Sequence, residues 1–389
     1  MMSLVAMAID AMLPALGAIG ADLGVENAND TQLVVSVIFL GLAVAQLVFG
    51  PLADSWGRRP AVHIGFALFL TGSAVSLLAP SFEVMLVGRF LQGIGAAGPK
   101  IVSVAIVRDK FSGPVMARIM STIMAVFIVV PALAPAAGQA VLAFAEWRAI
   151  FGLLLAQGAI AWIWFALRQP ETLAKEGRMP LSLGRVWRAI FETCRNRVAL
   201  GFTIAAGIVF GAFLGYLTSA QQIFQEQYGV GDAFPFYFGS LALVLGAASI
   251  VNAKMVVRVG MLAMSLRALG GLVVVSAIFS VVATISNGQP SLLLLMVFLS
   301  AAFFCIGMLF GNFNALAMEP MGHIAGTAAA VIASLSTFIS LGLASIIGRS
   351  FDGTVLPLVY GFLALSVVAL VIVLWLAPSA TAPAASEAR

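Results

Sequence analysis

Long apolar runs fill the chain from end to end, broken at intervals by Gly, Pro, Asn or charge. A helix rises about 1.5 Å per residue, so about 20 mostly apolar residues cross a bilayer. Twelve runs reach or approach that length: roughly 2–19, 32–51, 60–80, 83–106, 118–143, 147–167, 198–219, 234–253, 262–285, 290–314, 325–347 and 354–377. The pattern predicts an all-α polytopic membrane protein with twelve transmembrane helices. The longest interruption, Arg168–Arg197, is rich in Arg, Glu and Pro and divides the runs six and six. The expected organisation is a six-helix bundle over 1–167, a cytoplasmic linker over 168–197, a second six-helix bundle over 198–378 and a cytoplasmic tail over 379–389. The halves read as pseudo-repeats.

Composition agrees. The 389 residues are 62% hydrophobic and 9% charged, with a mean hydropathy of +1.09. Soluble domains are nearer half apolar and a quarter charged. The net charge of +4 reflects loops rather than nucleic-acid binding. Arg58, Arg59, Arg108, Lys110 and the basic residues of Arg168–Arg197 lie in even-to-odd loops, whereas the odd-to-even loops carry only Arg148 and Arg349. The positive-inside rule therefore predicts that both termini are cytoplasmic. Cys194 and Cys305 fall in a loop and in an apolar run, so neither a disulfide nor a metal site is expected. The opening segment has no basic n-region and is interrupted by Asp10, so it reads as a first span rather than a signal peptide. That span lacks a basic flank, so either the true start lies upstream or the chain has been trimmed.

Scarce charge makes each intramembrane ionisable group a candidate. Asp10 lies within the first run, where an ionised carboxylate costs a few kcal/mol on insertion scales, about 2.5 to 3.5. Such a group faces a cavity or a partner, and can be neutral when closed off and ionised when wet. Arg89 lies about six residues into the fourth run, at a depth comparable to Asp10, with Gln92 beside it. Lys100 follows Arg89 by eleven residues, about three turns, on nearly the same face. Asp10, Arg89, Gln92 and Lys100 are candidates for substrate contact, and Asp10 and Arg89 for proton coupling. If Arg89 and Lys100 share a cavity, it disfavours simple cations. Either side chain can instead snorkel to headgroups.

Gly93-Ile-Gly95-Ala-Ala-Gly98 matches a dinucleotide fingerprint literally, but inside a membrane helix it serves close backbone packing. Pro131, Pro135 and Gly138 share a face of the fifth run and predict a gating kink. Phe213, Tyr216, Gln221, Gln222, Phe236, Tyr237, Asn312 and Asn314 are candidate cavity-lining residues, with core packing or lipid contact as the alternative. His323 reads as structural. No HExxH, nucleophile elbow or phosphate loop is present, so no enzyme activity, cofactor or metal is expected.

The ten residues Gly50-Pro-Leu-Ala-Asp54-Ser-Trp-Gly57-Arg58-Arg59 form a charged turn between the second and third runs. This turn resembles the loop motif of the major facilitator superfamily. Leu86-Val-Gly-Arg89-Phe-Leu-Gln92-Gly93-Ile-Gly95, Val130-Pro131-Ala-Leu-Ala-Pro135-Ala-Ala-Gly138 and Pro170-Glu171-Thr172-Leu173 resemble further motifs of that superfamily. Ile9-Asp10-Ala-Met-Leu-Pro14, Ala105-Ile-Val-Arg108-Asp109 and Trp147-Arg148-Ala-Ile-Phe151 resemble its Bcr/CflA group of drug:proton antiporters, which includes phenicol and bicyclomycin exporters. Lys100 stands where that group leads one to expect a small or apolar residue.

The resemblance implies two six-helix bundles around a central cavity, exporting small, largely apolar drugs against protons across a bacterial cytoplasmic membrane. It implies that Asp10 binds substrate and couples protons. It also implies that Gly50, Asp54, Gly57, Arg58, Arg59, Arg108 and Asp109 form a latch holding the outward-facing state, with Arg58 able to pair with Asp109. The expected partners are a small-molecule drug, protons and the lipid bilayer, with no nucleic acid and a monomeric state. The rival readings are a symporter for uptake of a small metabolite on the same fold, a non-transporting receptor or scaffold, and an intramembrane enzyme.

Overall fold

The computed structural model describes residues 1–380, except the side chains of Pro114, Ala117, Ser121, 124–128, Leu183 and 378–380. The expected tail over 379–389 lies outside these residues but for its first two. Fourteen α-helices account for the described chain, with no strand among the described residues. They are α1 Ser3–Asp10, α2 Leu16–Asp22, α3 Leu33–Trp56, α4 Arg58–Leu77, α5 Phe82–Lys110, α6 Gly113–Leu142, α7 Arg148–Arg168, α8 Leu183–Arg195, α9 Arg197–Gln221, α10 Phe234–Val259, α11 Met261–Ile285, α12 Leu292–Met318, α13 Ala325–Arg349 and α14 Leu356–Ala380. Paired, α1 and α2 make one span, α8 is too short to cross, and the other helices complete the twelve. The described residues form two compact units, Met1–Val186 with Thr218–Leu243, and Trp187–Leu217 with the described chain from Val244 onward.

Four elements differ from the sequence expectation, each for a local reason. The first span is not continuous. Pro14 has no N–H to give the carbonyl four residues back, that of Asp10, so the helix ends at Asp10 and resumes through a 3-10 turn at Leu13–Ala15. The ten-residue charged turn contracts to one residue. Helix α3 runs to Trp56 and α4 starts at Arg58, and Gly57 alone reverses the chain with a φ of 105°. The linker, expected only as a connection between the bundles, contains a helix, α8. Finally, the seventh span continues beyond α9 as a π-helical segment, Gln222–Gln227.

Within the first unit, α3, α4 and α5 approach closely because small residues line their contacts. A Cβ on Gly95 would collide with the Phe69 backbone nitrogen, and one on Gly93 with the Ile38 carbonyl oxygen. The glycine pattern in α5 is therefore a helix-packing device. Helix ends in this unit are tied by Asp22, which accepts hydrogen bonds from Trp147 Nε1 at 3.1 Å and from Arg148.

Candidate functional site

Asp10 sits at the last residue of α1, at the break, and is 6% exposed. Its carboxylate makes no hydrogen bond or ion pair with any described residue. Helix α6 closes over the break: a Cβ on Gly138 would collide with the carbonyl oxygen of Ala11. Gly138, chosen from sequence as part of a kink with Pro131 and Pro135, is thus the contact point between α6 and the residue after Asp10. Both prolines lie inside α6.

Arg89 is fully buried. Its Nε donates to Val34 O at 2.9 Å, Nη2 to Ala8 O at 2.9 Å and Nη1 to Gln92 Oε1 at 2.5 Å. Gln92 Nε2 passes the chain on to Ser73 Oγ at 2.8 Å, and Ser73 donates to Phe69 O. The guanidinium also lies over the Phe151 ring, 5.8 Å from its centroid. Arg89 and Gln92 therefore join four elements, α1, α3, α4 and α5, through a buried polar chain, and Arg89 meets α7 at the Phe151 ring. Their polar groups are spent on the protein and not turned to open space. Asp10 and Arg89 are near in the fold but not joined: the cation holds the α1 backbone two residues before the carboxylate. Lys100 is half-buried and makes no hydrogen bond or ion pair with a described residue.

A second polar cluster gathers where α3, α4, α5 and the segment after α7 meet. Arg58 is 4% exposed. Its Nη1 donates to Asp54 Oδ1 at 2.6 Å and its Nε to Asp109 Oδ2 at 2.8 Å. The Glu171 carboxylate accepts the backbone N–H groups of Arg58 and Arg59, each at 3.0 Å, and those of Thr172 and Leu173. It caps the N-terminus of α4, where N–H groups have no intrahelical partner. Burial alone would raise its pKa, but these four donors hold it below the ordinary glutamate value. A Cβ on Gly57 would stand 2.5 Å from Glu171 Oε2, so the glycine is needed for this approach as well as for its φ. Thr172 Oγ1 donates to Asp109 Oδ2 at 3.0 Å, Met179 N to Asp54 O at 3.1 Å, and Arg59 Nη2 to Ala166 O at 2.9 Å. Arg108 is exposed and hydrogen-bonds to no described residue, and Gly50 has open space around it. Glu171 and Thr172 carry no role in the sequence reading. Their signal was present in Pro170-Glu171-Thr172-Leu173, but nothing local says that its carboxylate caps a helix 113 residues earlier.

The remaining candidates separate. Phe213 packs with Phe210, Phe303 and Phe310, and the Tyr216 ring meets Phe303 edge-on at 4.8 Å. Asn312 forms a reciprocal amide pair with Asn252, at 2.9 and 3.0 Å, both side chains buried. Asn314 is exposed and donates to Phe310 O. Phe236 is 77% exposed, and Tyr237 stacks on Phe224. Gln222 donates to Asn29 Oδ1 at 2.7 Å and accepts from Gln32 Nε2 at 2.5 Å. The π-helical turn begins at Gln222, and π-bulges recur at functional sites. Asn29 and Gln32 were not singled out from sequence, because polar residues near a span end look like ordinary loop.

Comparison with known proteins shows the family and the fold. The family model described as Major Facilitator Superfamily matches residues 1–345. The chain is 31% identical over 361 residues to an uncharacterized MFS-type transporter, YdgK, of Bacillus subtilis, covering 90% of this chain and 87% of that one. It is 29% identical over 369 residues to a bicyclomycin resistance protein homolog of Haemophilus influenzae, covering 90% and 88%. A crystal structure of a D-xylose-proton symporter superposes with a TM-score of 0.75 at 14% identity, covering 96% of this chain and 95% of that one, which speaks to the fold alone. With twelve spans and a family match that takes in nearly the whole chain, this protein belongs to the Major Facilitator Superfamily.

Proposed function

We propose that the protein is a proton-coupled antiporter that exports small, largely apolar drugs across the bacterial inner membrane by alternating access. The observation that carries this reading is Asp10: a buried carboxyl, at a helix break within the first span, with no polar partner among the described residues. A carboxylate so placed is costly unless it is protonated or visited by water or ligand. The likeness to a bicyclomycin resistance protein homolog supports a drug as cargo. In the proposed cycle, Asp10 exchanges a proton for drug. Arg89 fixes the backbone that presents it. The Asp54–Arg58–Asp109 cluster, capped by Glu171, is the latch that forms and breaks. Both termini are cytoplasmic, and the working unit is a monomer.

The energetics are adequate. One proton moving down the membrane potential gains about 2.3 kcal/mol per 100 mV. At about 1.4 kcal/mol per factor of ten, that sustains roughly a forty- to fifty-fold gradient of a neutral drug.

The test is a drug panel in an efflux-deficient host, followed by inverted vesicles energised to be acid inside. Expression should lower drug accumulation in cells, and adding drug to the vesicles should release protons. Raised accumulation of a metabolite with no effect on drugs would replace export by uptake, and no transport of either would leave a receptor or scaffold.

A further inference from the structure

Helix α8 ends one residue before the span that α9 begins. Asn196 joins them, its Oδ1 accepting the N–H groups of Val198 and Ala199 at 3.0 and 2.9 Å. Ala189 and Thr193 form the buried face of α8. On its other side Trp187 is 73% exposed and Phe191 65%, and Cys194 shares their face at helical spacing. Arg188 and Arg195, seven residues apart, form an exposed basic stripe next to the aromatic one. Neither arginine has a hydrogen bond or ion pair with a described residue. The one nearby acid on this helix, Glu192, is engaged by His323. Between α8 and Glu319–Ile324 lies a recess of about 430 Å³, lined by Arg188, Phe191, Glu192, Arg195, Met321 and His323 among others. Beyond α8, the Arg197 guanidinium sits 3.8 Å over the Trp375 ring, which is 61% exposed.

We propose that this face of α8, with its recess, is a binding site for an acidic phospholipid. The phosphodiester sits between Arg188 and Arg195, while Trp187 and Phe191 enter the acyl boundary. Aromatic and basic residues side by side, on a helix joined directly to a membrane span, match the polarity gradient of a lipid interface. A soluble acidic partner would satisfy the arginines but leave Trp187 and Phe191 in water. Near a negatively charged leaflet, each arginine contributes about fivefold in affinity, so the pair contributes roughly twenty-five-fold. The site is independent of the solute carried.

The experiment compares retention of phosphatidylglycerol and phosphatidylcholine on the purified full chain by native mass spectrometry. The wild type should retain phosphatidylglycerol preferentially, and R188Q/R195Q should lose that preference by roughly twenty-five-fold in apparent affinity without a change in thermal unfolding. Equal retention of both lipids by the wild type, or an undiminished preference in the variant, overturns the proposal. So does displacement of the lipid by inorganic phosphate or an acidic peptide at comparable concentration. Should the double variant not fold, brominated phosphatidylglycerol serves instead. It should quench wild-type tryptophan emission more than that of W187F, and equal quenching overturns the site.

Discussion

The Arg89 guanidinium donates to the carbonyl oxygen of Ala8 at 2.9 Å, two residues before Asp10, and the Asp10 carboxylate accepts nothing from it. A buried cation and a buried acid lie on neighbouring helices, yet the cation is spent on backbone. Arg89 is thus placed to support the strand of chain that carries Asp10. Replacing it by alanine strips donors from Ala8 O, Val34 O and Gln92 Oε1. The expected loss is about 3 kcal/mol or more of folding stability, because Gln92 Oε1 is left without its donor and a large buried side chain leaves a cavity. R89K should recover only part of it, since a lysine cannot reproduce the planar fork. Thermal unfolding in detergent measures both; equal midpoints for wild type and R89A would show that the chain of bonds is dispensable.

Asp10→Asn is expected to do the opposite. It removes a buried carboxyl that has no polar partner among the described residues, so the unfolding midpoint should hold or rise. Drug-induced proton release from inverted vesicles should vanish. Full exchange by D10N would end its role in coupling.

Gly138→Ala should be costly although alanine is a good helix former. The added methyl collides with Ala11 O, and relieving the clash moves α6 away from the break in the first span. The overpacking penalty is about 1 to 3 kcal/mol. Thermal unfolding measures it, and Gly50→Ala, where space is open, is the control that should be nearly silent.

Glu171 gives a pH signature. Its folded-state pKa is depressed below 4.5, burial opposing and four backbone donors prevailing. Its contribution is therefore fully present above pH 4.5 and is lost as the pH falls through the depressed value. The difference in midpoint between wild type and E171Q should be constant from neutral pH down to about 5 and shrink toward zero in stronger acid. A difference that grows on acidification would contradict the cap.

Asn312 separates packing from substrate contact. Its amide faces Asn252, so N312A should cost about 1 to 3 kcal/mol by leaving a buried amide half-satisfied, while N252L/N312L should recover much of the loss. A changed drug profile with unchanged stability would instead make Asn312 a cargo residue.

Much of this was legible one residue at a time. The spans followed from run length, and the Gly57–Arg59 motif pointed to the segment where Arg58 pairs with Asp54 and Asp109. Two kinds of feature were not legible. One is a local event hidden by hydropathy: the break after Asp10 is written in Pro14, but the apolar run passes over it. The other is a partner distant in sequence, as with Glu171 on α4 or Gln222 on Asn29.

The sequence by itself determined that this chain spans a membrane many times, because runs of about 20 apolar residues cross a bilayer as helices whose backbone groups are satisfied inside the segment. It also determined which few charges had to be accounted for. Only the tertiary structure decided what those charges do. Arg89 and Asp10 read alike as intramembrane ions, yet one is enclosed by carbonyl oxygens from two other helices and the other has no polar partner among the described residues. That difference depends on which backbone faces each side chain across a helix contact, and periodicity along one strand of sequence carries no record of it.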